Sequence, residues 1–186
     1  DILLSRAQSI SHDPEHEVII VVSHGPVSEE ENAKWLTDMS ALAEHMRRAS
    51  SFKRIEYLTV RDDAPELIRS RAAAELRAVV ERAVGEGHKA LVVPLLISYG
   101  GIEGGIRKRL EGLSYVMSPQ ALLPDERLAN WVIQTAQGVA TIAQASADAL
   151  LVVAHGASRA GWNDRVVRMM DRVDWPGPKG VAFLTT

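Results

Sequence analysis

Apolar positions along the chain alternate between two patterns. Val18 to Ser23 (VIIVVS) is a continuous run rich in β-branched residues, the mark of a strand buried on both faces of a parallel sheet. Lys53 to Val60 and Ala90 to Leu96 (ALVVPLL) read as a second and a third strand. Between the strands the apolar residues recur at helical spacing. From Ser28 to Arg48 the stripe runs through Ala33, Leu36, Ala43 and Met46, with Ser28 and Glu31 as a capping box and Arg47 and Arg48 in the last turn. A second helix is predicted from Asp63, as N-cap, to Gly85 or Gly87, with Leu67, Ile68, Ala72, Leu76, Val79, Val80 and Ala83 on its apolar face. After the third strand come a glycine-rich turn (Ser98 to Gly105), a basic helix (Ile106 to Glu111), a short strand near Leu113 to Met117 and a helix from Pro124 to about Ala143. This order predicts an α/β fold: a parallel four-stranded sheet with helices on both faces, wound in the flavodoxin manner.

The pattern then restarts. Ala149 to Gly156 (ALLVVAHG) repeats Ile19 to Gly25 (IIVVSHG), and Asn163 follows His155 at the spacing by which Asn32 follows His24. Gly180 to Thr185 resembles Ile55 to Thr59, and Ile2 to Gln8 resembles Trp131 to Gln137. The expectation is a tandem repeat: residues 1–146 as one unit, whose residues 1–12 form a helix like the end of a preceding repeat, and residues 147–186 as the β-α-β start of a second, incomplete one. The chain is read as processed or as part of something longer. An incomplete second sheet would leave an unpaired edge, so a homodimer, or contact with further repeat segments, is expected.

Composition narrows the chemistry. The 186 residues include no Cys, which excludes disulfides, iron–sulfur clusters, thiolate zinc sites and cysteine nucleophiles. Any metal must be held by His, carboxylate or backbone oxygen. Lys+Arg 21 against Asp+Glu 24 gives a net charge of -3, without the basic excess of a nucleic-acid binder. The longest apolar run, Ala90 to Ile97, is interrupted by a Pro and falls far short of the roughly 18 residues that span a bilayer. Asp1 to Arg6 does not read as a signal peptide. A cytoplasmic protein with no membrane and no nucleic-acid partner is expected.

Four features could carry chemistry. His24 follows the first strand directly, at the strand ends where open α/β sheets place their ligands, provided that the first and third strands are neighbours. A neutral imidazole there can bind a divalent metal or accept a proton. His155 repeats it. Gly100, Gly101, Gly104 and Gly105 offer backbone N–H groups at a helix start for an anion, with Arg107, Lys108 and Arg109 next to them. Glu103, a carboxylate inside that glycine stretch, could ligate a metal or take a proton. Asp62 reads as an edge charge, and His12, His16, His45 and His88 as surface residues. The glycine stretch lacks the dinucleotide and P-loop spacings, so no nucleotide is expected. With no G-x-S-x-G elbow, a serine hydrolase is not expected either.

Val21 to Pro26 (VVSHGP), Asn32, Val92 to Gly101 (VVPLLISYGG) and Pro124 to Leu128 (PDERL) resemble the CbiX-type sirohydrochlorin cobaltochelatase family of class II tetrapyrrole chelatases. The resemblance covers about residues 18–140, and the first half-repeat again from 148. It implies a chelatase-like fold built from tandem or dimerised repeats, and a lyase of cobalamin or sirohaem biosynthesis. Such an enzyme inserts Co²⁺, or Ni²⁺ or Fe²⁺, into sirohydrochlorin without a nucleotide. By that resemblance His24 is the first metal-site histidine. The second family histidine corresponds to Ile102, with Glu103 next to it. The metal set implied is therefore His24 with Glu103, or with His155 from the second repeat, and His24 and Glu103 as catalytic pair. Alternatively the repeat is degenerate and binds without turnover. The glycine amides and Arg107 would then anchor carboxylates of the macrocycle.

Overall fold

The computed structural model describes residues 1–144, 146–156 and 161–184, apart from the side chain of Trp162. It divides into two compact units, Asp1–Ala121 and Leu122–Thr186. The division falls ahead of the last helix of the expected first repeat, whereas the sequence pattern sets the boundary at 146/147.

In the first unit, a short helix α1 (Ile2–Gln8) precedes β1 (Glu17–Ser23), α2 (Glu29–Arg48), β2 (Arg54–Thr59), α3 (Glu66–Gly85), β3 (Lys89–Leu95), α4 (Gly101–Arg109) and β4 (Val116–Met117). The four strands form one parallel sheet in the order β2-β1-β3-β4. This is the α/β architecture that the alternating pattern predicts.

All seven residues of β1 are buried, because β1 is central and covered on both faces. Val18, Ile20 and Val22 point to the face covered by α3 and α4, where they meet Leu76, Val80, Ile106 and Leu110. Ile19 and Val21 point to the opposite face, on which α2 lies along β2 and α1 along β3. The two sets of helices follow from right-handed crossovers that run first toward β2 and then back past β1 to β3. At the amino end of β1 sits Glu17, 1% exposed, accepting hydrogen bonds from the Ser11 hydroxyl and from the His12 amide at 3.0 Å.

Local signals account for most of the boundaries. The Ser28 hydroxyl accepts from Glu31 N at 3.1 Å and starts α2, as its capping spacing predicts. Arg47, in the last turn of α2, donates to the Ile55 carbonyl at 2.6 Å and ties that end to β2. Arg77 of α3 donates to the Arg109 and Glu111 carbonyls at 2.6 and 3.1 Å, closing the carboxyl end of α4. Two boundaries differ from expectation. Asp63 caps no helix: α3 begins at Glu66, after Pro65, without a side-chain cap. The glycine-rich stretch is not a turn leading to a helix at Ile106. It is already helical from Gly101, since the aliphatic Ile102 and Ile106 reach the sheet from one helix face.

The second unit contains α5 (Glu126–Ala143), β5 (Leu150–Ala154), α6 (Trp162–Asp171) and β6 (Lys179–Phe183). β5 and β6 form a two-stranded parallel sheet. Val166, Met169 and Met170 of α6, followed by Val173, are buried. Thr185, the last position of the strand expected from Gly180, lies outside the described residues. No described helix is long and apolar enough to cross a membrane.

Candidate functional site

Strand order creates the site. The chain leaves β1 toward β2 and later returns to place β3 on the other side of β1, so the winding reverses between β1 and β3. Such a reversal opens a crevice at the carboxyl ends of the strands. The register pairs Ser23 with Thr59 on one side and with Leu95 on the other. His24 is therefore the first residue beyond the sheet on its central strand.

The turn after His24 is tightly built. Gly25 has φ +74, and a Cβ there would stand 2.4 Å from the Thr59 Cβ. Only glycine accepts both the left-handed backbone and that approach. The Thr59 hydroxyl donates to Asn32 Oδ1 at 2.7 Å in a buried contact between β2 and α2. Asn32 thus has a structural place beneath the turn.

Arg61 holds the same turn from the other side. It is 5% exposed and adopts φ 51, a left-handed conformation uncommon for a long side chain. Its amide donates to the His24 carbonyl at 2.6 Å. Its guanidinium donates to the Pro26 carbonyl at 3.1 Å and to the Val27 carbonyl at 2.5 Å, and pairs with Glu29 at 2.8 Å. One buried arginine therefore fixes four successive parts of the segment that carries His24. Sequence reasoning missed it. Its position two residues past Thr59, at the end of an apolar strand, is the only signal it offers.

The imidazole faces Asp63. His24 Nε2 and Asp63 Oδ2 stand 3.3 Å apart, the imidazole 32% and the carboxylate 72% exposed. The alignment is not that of a hydrogen bond, since Nε2 is shielded yet has no bonded partner. An imidazole nitrogen and a carboxylate oxygen thus stand in contact range, the nitrogen shielded and the carboxylate facing solvent. Asp63 is the residue expected to cap α3. Its neighbour Asp62, expected as an edge charge, instead pairs with Arg109 of α4, each side chain being 18% exposed.

The α4 residues are engaged elsewhere. Glu103, 16% exposed, pairs with Arg107 one turn along the helix. The hydrogen bond that Arg107 donates to Glu103, together with the carboxylate's charge, raises the Arg107 pKa above its already high ordinary value. This ion pair occupies both the carboxylate expected as a metal ligand and the cation expected to anchor substrate. The Gly104 amide donates to the Gly100 carbonyl at 3.3 Å, within the helix. Helix geometry engages the Gly105 amide likewise and leaves the first-turn amides, from Gly101 to Glu103, directed outward. Gly105 also lies where a Cβ would stand 2.8 Å from Arg109 Nη1, so its bareness lets Arg109 fold back toward Asp62. Beside them Tyr99 donates to the Ser118 and Gln120 carbonyls at 2.5 and 3.1 Å, and burial pushes its phenol up to about 12.

His155 follows β5 as His24 follows β1. It is exposed, with Nδ1 3.1 Å from the Gly156 carbonyl. Among the other histidines, His12, His16 and His45 are exposed, and His16 lies 2.9 Å from Asp13. His88 is half-buried, with Nδ1 shielded from solvent, and so differs from the surface position expected. Among the described residues no three His, Asp or Glu side chains gather into a metal-holding group. The donor set at the crevice is one imidazole and one carboxylate, with no Cys anywhere in the chain.

No protein-family model, curated protein or solved structure matches this chain.

Proposed function

We propose that the chain is a chelatase that takes a divalent metal ion as substrate, Co²⁺ first and Ni²⁺ or Fe²⁺ as alternatives, and inserts it into sirohydrochlorin. The observation that carries this reading is the His24–Asp63 pair at the reversal of strand order, its carboxylate open to solvent and its imidazole nitrogen without a hydrogen-bond partner. Its support from sequence is the set of motifs quoted above.

The donor set suits transfer better than storage. A metal held by four protein ligands is held closed, whereas insertion needs a site with open positions. An imidazole and a carboxylate are acceptable ligands for Co²⁺, Ni²⁺ and Fe²⁺. Two of them on one side leave the opposite side of the ion to incoming pyrrole nitrogens. As the ion enters the macrocycle, two pyrrole protons leave. His24 Nε2 and the Asp63 carboxylate, freed of the metal, are placed to accept them. In this reading Asp63 takes the part that the sequence reading gives to Glu103.

We read the second unit as the start of an equivalent repeat. β5 pairs with β6 in the same parallel sense as β1 with β2. Leu184 N donates to the Ala154 carbonyl at 2.9 Å, as Val60 N donates to the Ser23 carbonyl at 2.9 Å. His155 then stands where His24 stands. As in the sequence reading, the expected partners are the tetrapyrrole and a second copy or further repeat segments.

The test is the initial rate of sirohydrochlorin absorbance change with Co²⁺. The full chain should exceed the spontaneous rate, and His24→Ala and Asp63→Asn should each lose at least about tenfold, equivalent to about 1.4 kcal/mol of barrier. Glu103→Gln should keep most of the rate. Equal loss in Glu103→Gln with none in Asp63→Asn would move the ligand back to α4. A rate at background for the unsubstituted chain would remove the enzymatic reading. Ile102 at the second histidine position, with no third donor gathered among the described residues, favours one other reading: a protein of the same architecture that binds a metal or tetrapyrrole without turnover. Saturable Co²⁺ or sirohydrochlorin binding without insertion would establish it.

A further inference from the structure

A cavity lies within residues 122–186. It measures about 240 Å³. Arg165, Arg168 and Arg172 line it from α6 and the residue after its end, and Leu123, Pro124 and Met169 supply apolar wall. The arginines follow i, i+3, i+7 spacing, which sets them in one stripe along the flank of the buried Val166–Met169–Val173 face. Seven residues of helix spread the stripe over about 10 Å.

Like charges three and four residues apart repel one another on a helix. The lining holds three arginines and one carboxylate. Its carboxylate, Asp125, pairs with Arg127, accepting from Nε and Nη2 at 2.8 Å each. Arg168 and Arg172 form no ion pair with a described residue, although Asp164 and Asp171 lie on the same helix. Guanidinium groups grip carboxylates through two parallel N–H bonds and stack on apolar or planar frames.

We infer that this cavity is a binding site for a small organic polycarboxylate, whose separated carboxylates meet the Arg168 and Arg172 guanidiniums while its carbon frame lies against Leu123 and Met169. A single phosphate has one charged centre and no carbon frame, so it can neither offer each guanidinium a separate carboxylate nor use the Leu123 and Met169 wall. The cavity is at the small end of ligand sites, which limits the ligand to roughly the size of a tricarboxylic acid. The inference does not depend on the chelatase reading.

Isothermal titration of the full chain with tricarballylate, and separately with inorganic phosphate, tests it. Tricarballylate should bind with one-site saturation and at least about tenfold more tightly than phosphate. Arg168→Gln/Arg172→Gln should weaken it at least tenfold while thermal melting stays within a few degrees. Should that double variant fail to fold, Arg168→Lys/Arg172→Lys keeps the charge and removes the forked donor, and should still weaken binding several-fold. Saturation by phosphate at equal or higher affinity would overturn the assignment to polycarboxylates. Absence of saturable binding, or undiminished binding in the variants that fold, would overturn the site itself.

Discussion

At the scale of single residues, the His24 turn depends on the groups packed beneath and beside it. Gly25 is fixed by its φ of +74 and by the Thr59 side chain, so Gly25→Ala meets both a backbone penalty and a clash. The expected loss is about 2–3 kcal/mol in urea unfolding. Arg61→Ala leaves the Pro26 and Val27 carbonyls and Glu29 without their donor and should cost about 2 kcal/mol. Because the same segment carries His24, Co²⁺ affinity measured by titration should fall with it if His24 holds the ion as proposed. Unchanged affinity in folded Arg61→Ala would show that the imidazole is held by β1 alone. Glu17 supplies the pH dependence. Burial alone would raise its carboxyl, but hydrogen bonds from Ser11, His12 and Asp13 and the charge of Lys89 outweigh burial and hold it below the usual carboxylate range. A lowered folded-state pKa contributes stability that is present above the unfolded value and is lost as pH falls through the folded one. Glu17→Gln should therefore cost about 1–2 kcal/mol near neutrality and show less loss of stability on acidification, read from urea midpoints across pH.

At the scale of elements, α4 is where the physical reading of glycine changes most. Gly104 and Gly105 are helical rather than loop residues, and they are not equivalent. A Cβ at Gly104 meets nothing within 4 Å, so Gly104→Ala should stabilise the fold by about 0.5–1 kcal/mol. At Gly105 the same methyl presses on Arg109 where it pairs with Asp62, and Gly105→Ala should show no such gain. Thermal melts of the two variants side by side decide it, and equal gains would mean that Arg109 moves aside freely. The same helix shows why part of the site was illegible in sequence. Strands such as β1 announce themselves because every residue is buried, and α2 because its cap and stripe agree. Four glycines in six residues are read as a turn by propensity, yet Ile102 and Ile106 hold the segment helical against the sheet. Once α4 is helical, Glu103 and Arg107 sit one turn apart and pair. Asp63 was misplaced for a related reason. Its spacing before Pro65 fits a cap, and only the tertiary turn at Arg61 directs it to His24. His24 itself was legible, since strand-end position and strand order both follow from pattern.

At the scale of the whole molecule, the two units differ in what their sheets can hold. β1 has parallel partners on both edges and helices on both faces, and none of its residues is exposed. β5 has one described partner strand, and Leu151 and Val153 on one of its faces are 64% and 55% exposed. A two-stranded sheet is marginal on its own in water, and parallel pairing needs a covered face. Amide exchange should therefore grade along the chain. Amides of β1 and β3 should exchange at least about a hundredfold more slowly than those of β5 and β6, a difference of about 2.7 kcal/mol in opening free energy. Equal protection across the two sheets would mean that the second unit opens only with the first. The expectation of self-association rests on that exposed edge and face, and the same measurement tests it. Exchange at a tenfold higher protein concentration should slow at β5 and leave β1 unchanged if copies of the chain cover each other there. An unchanged β5 would overturn the expectation of self-association through this face.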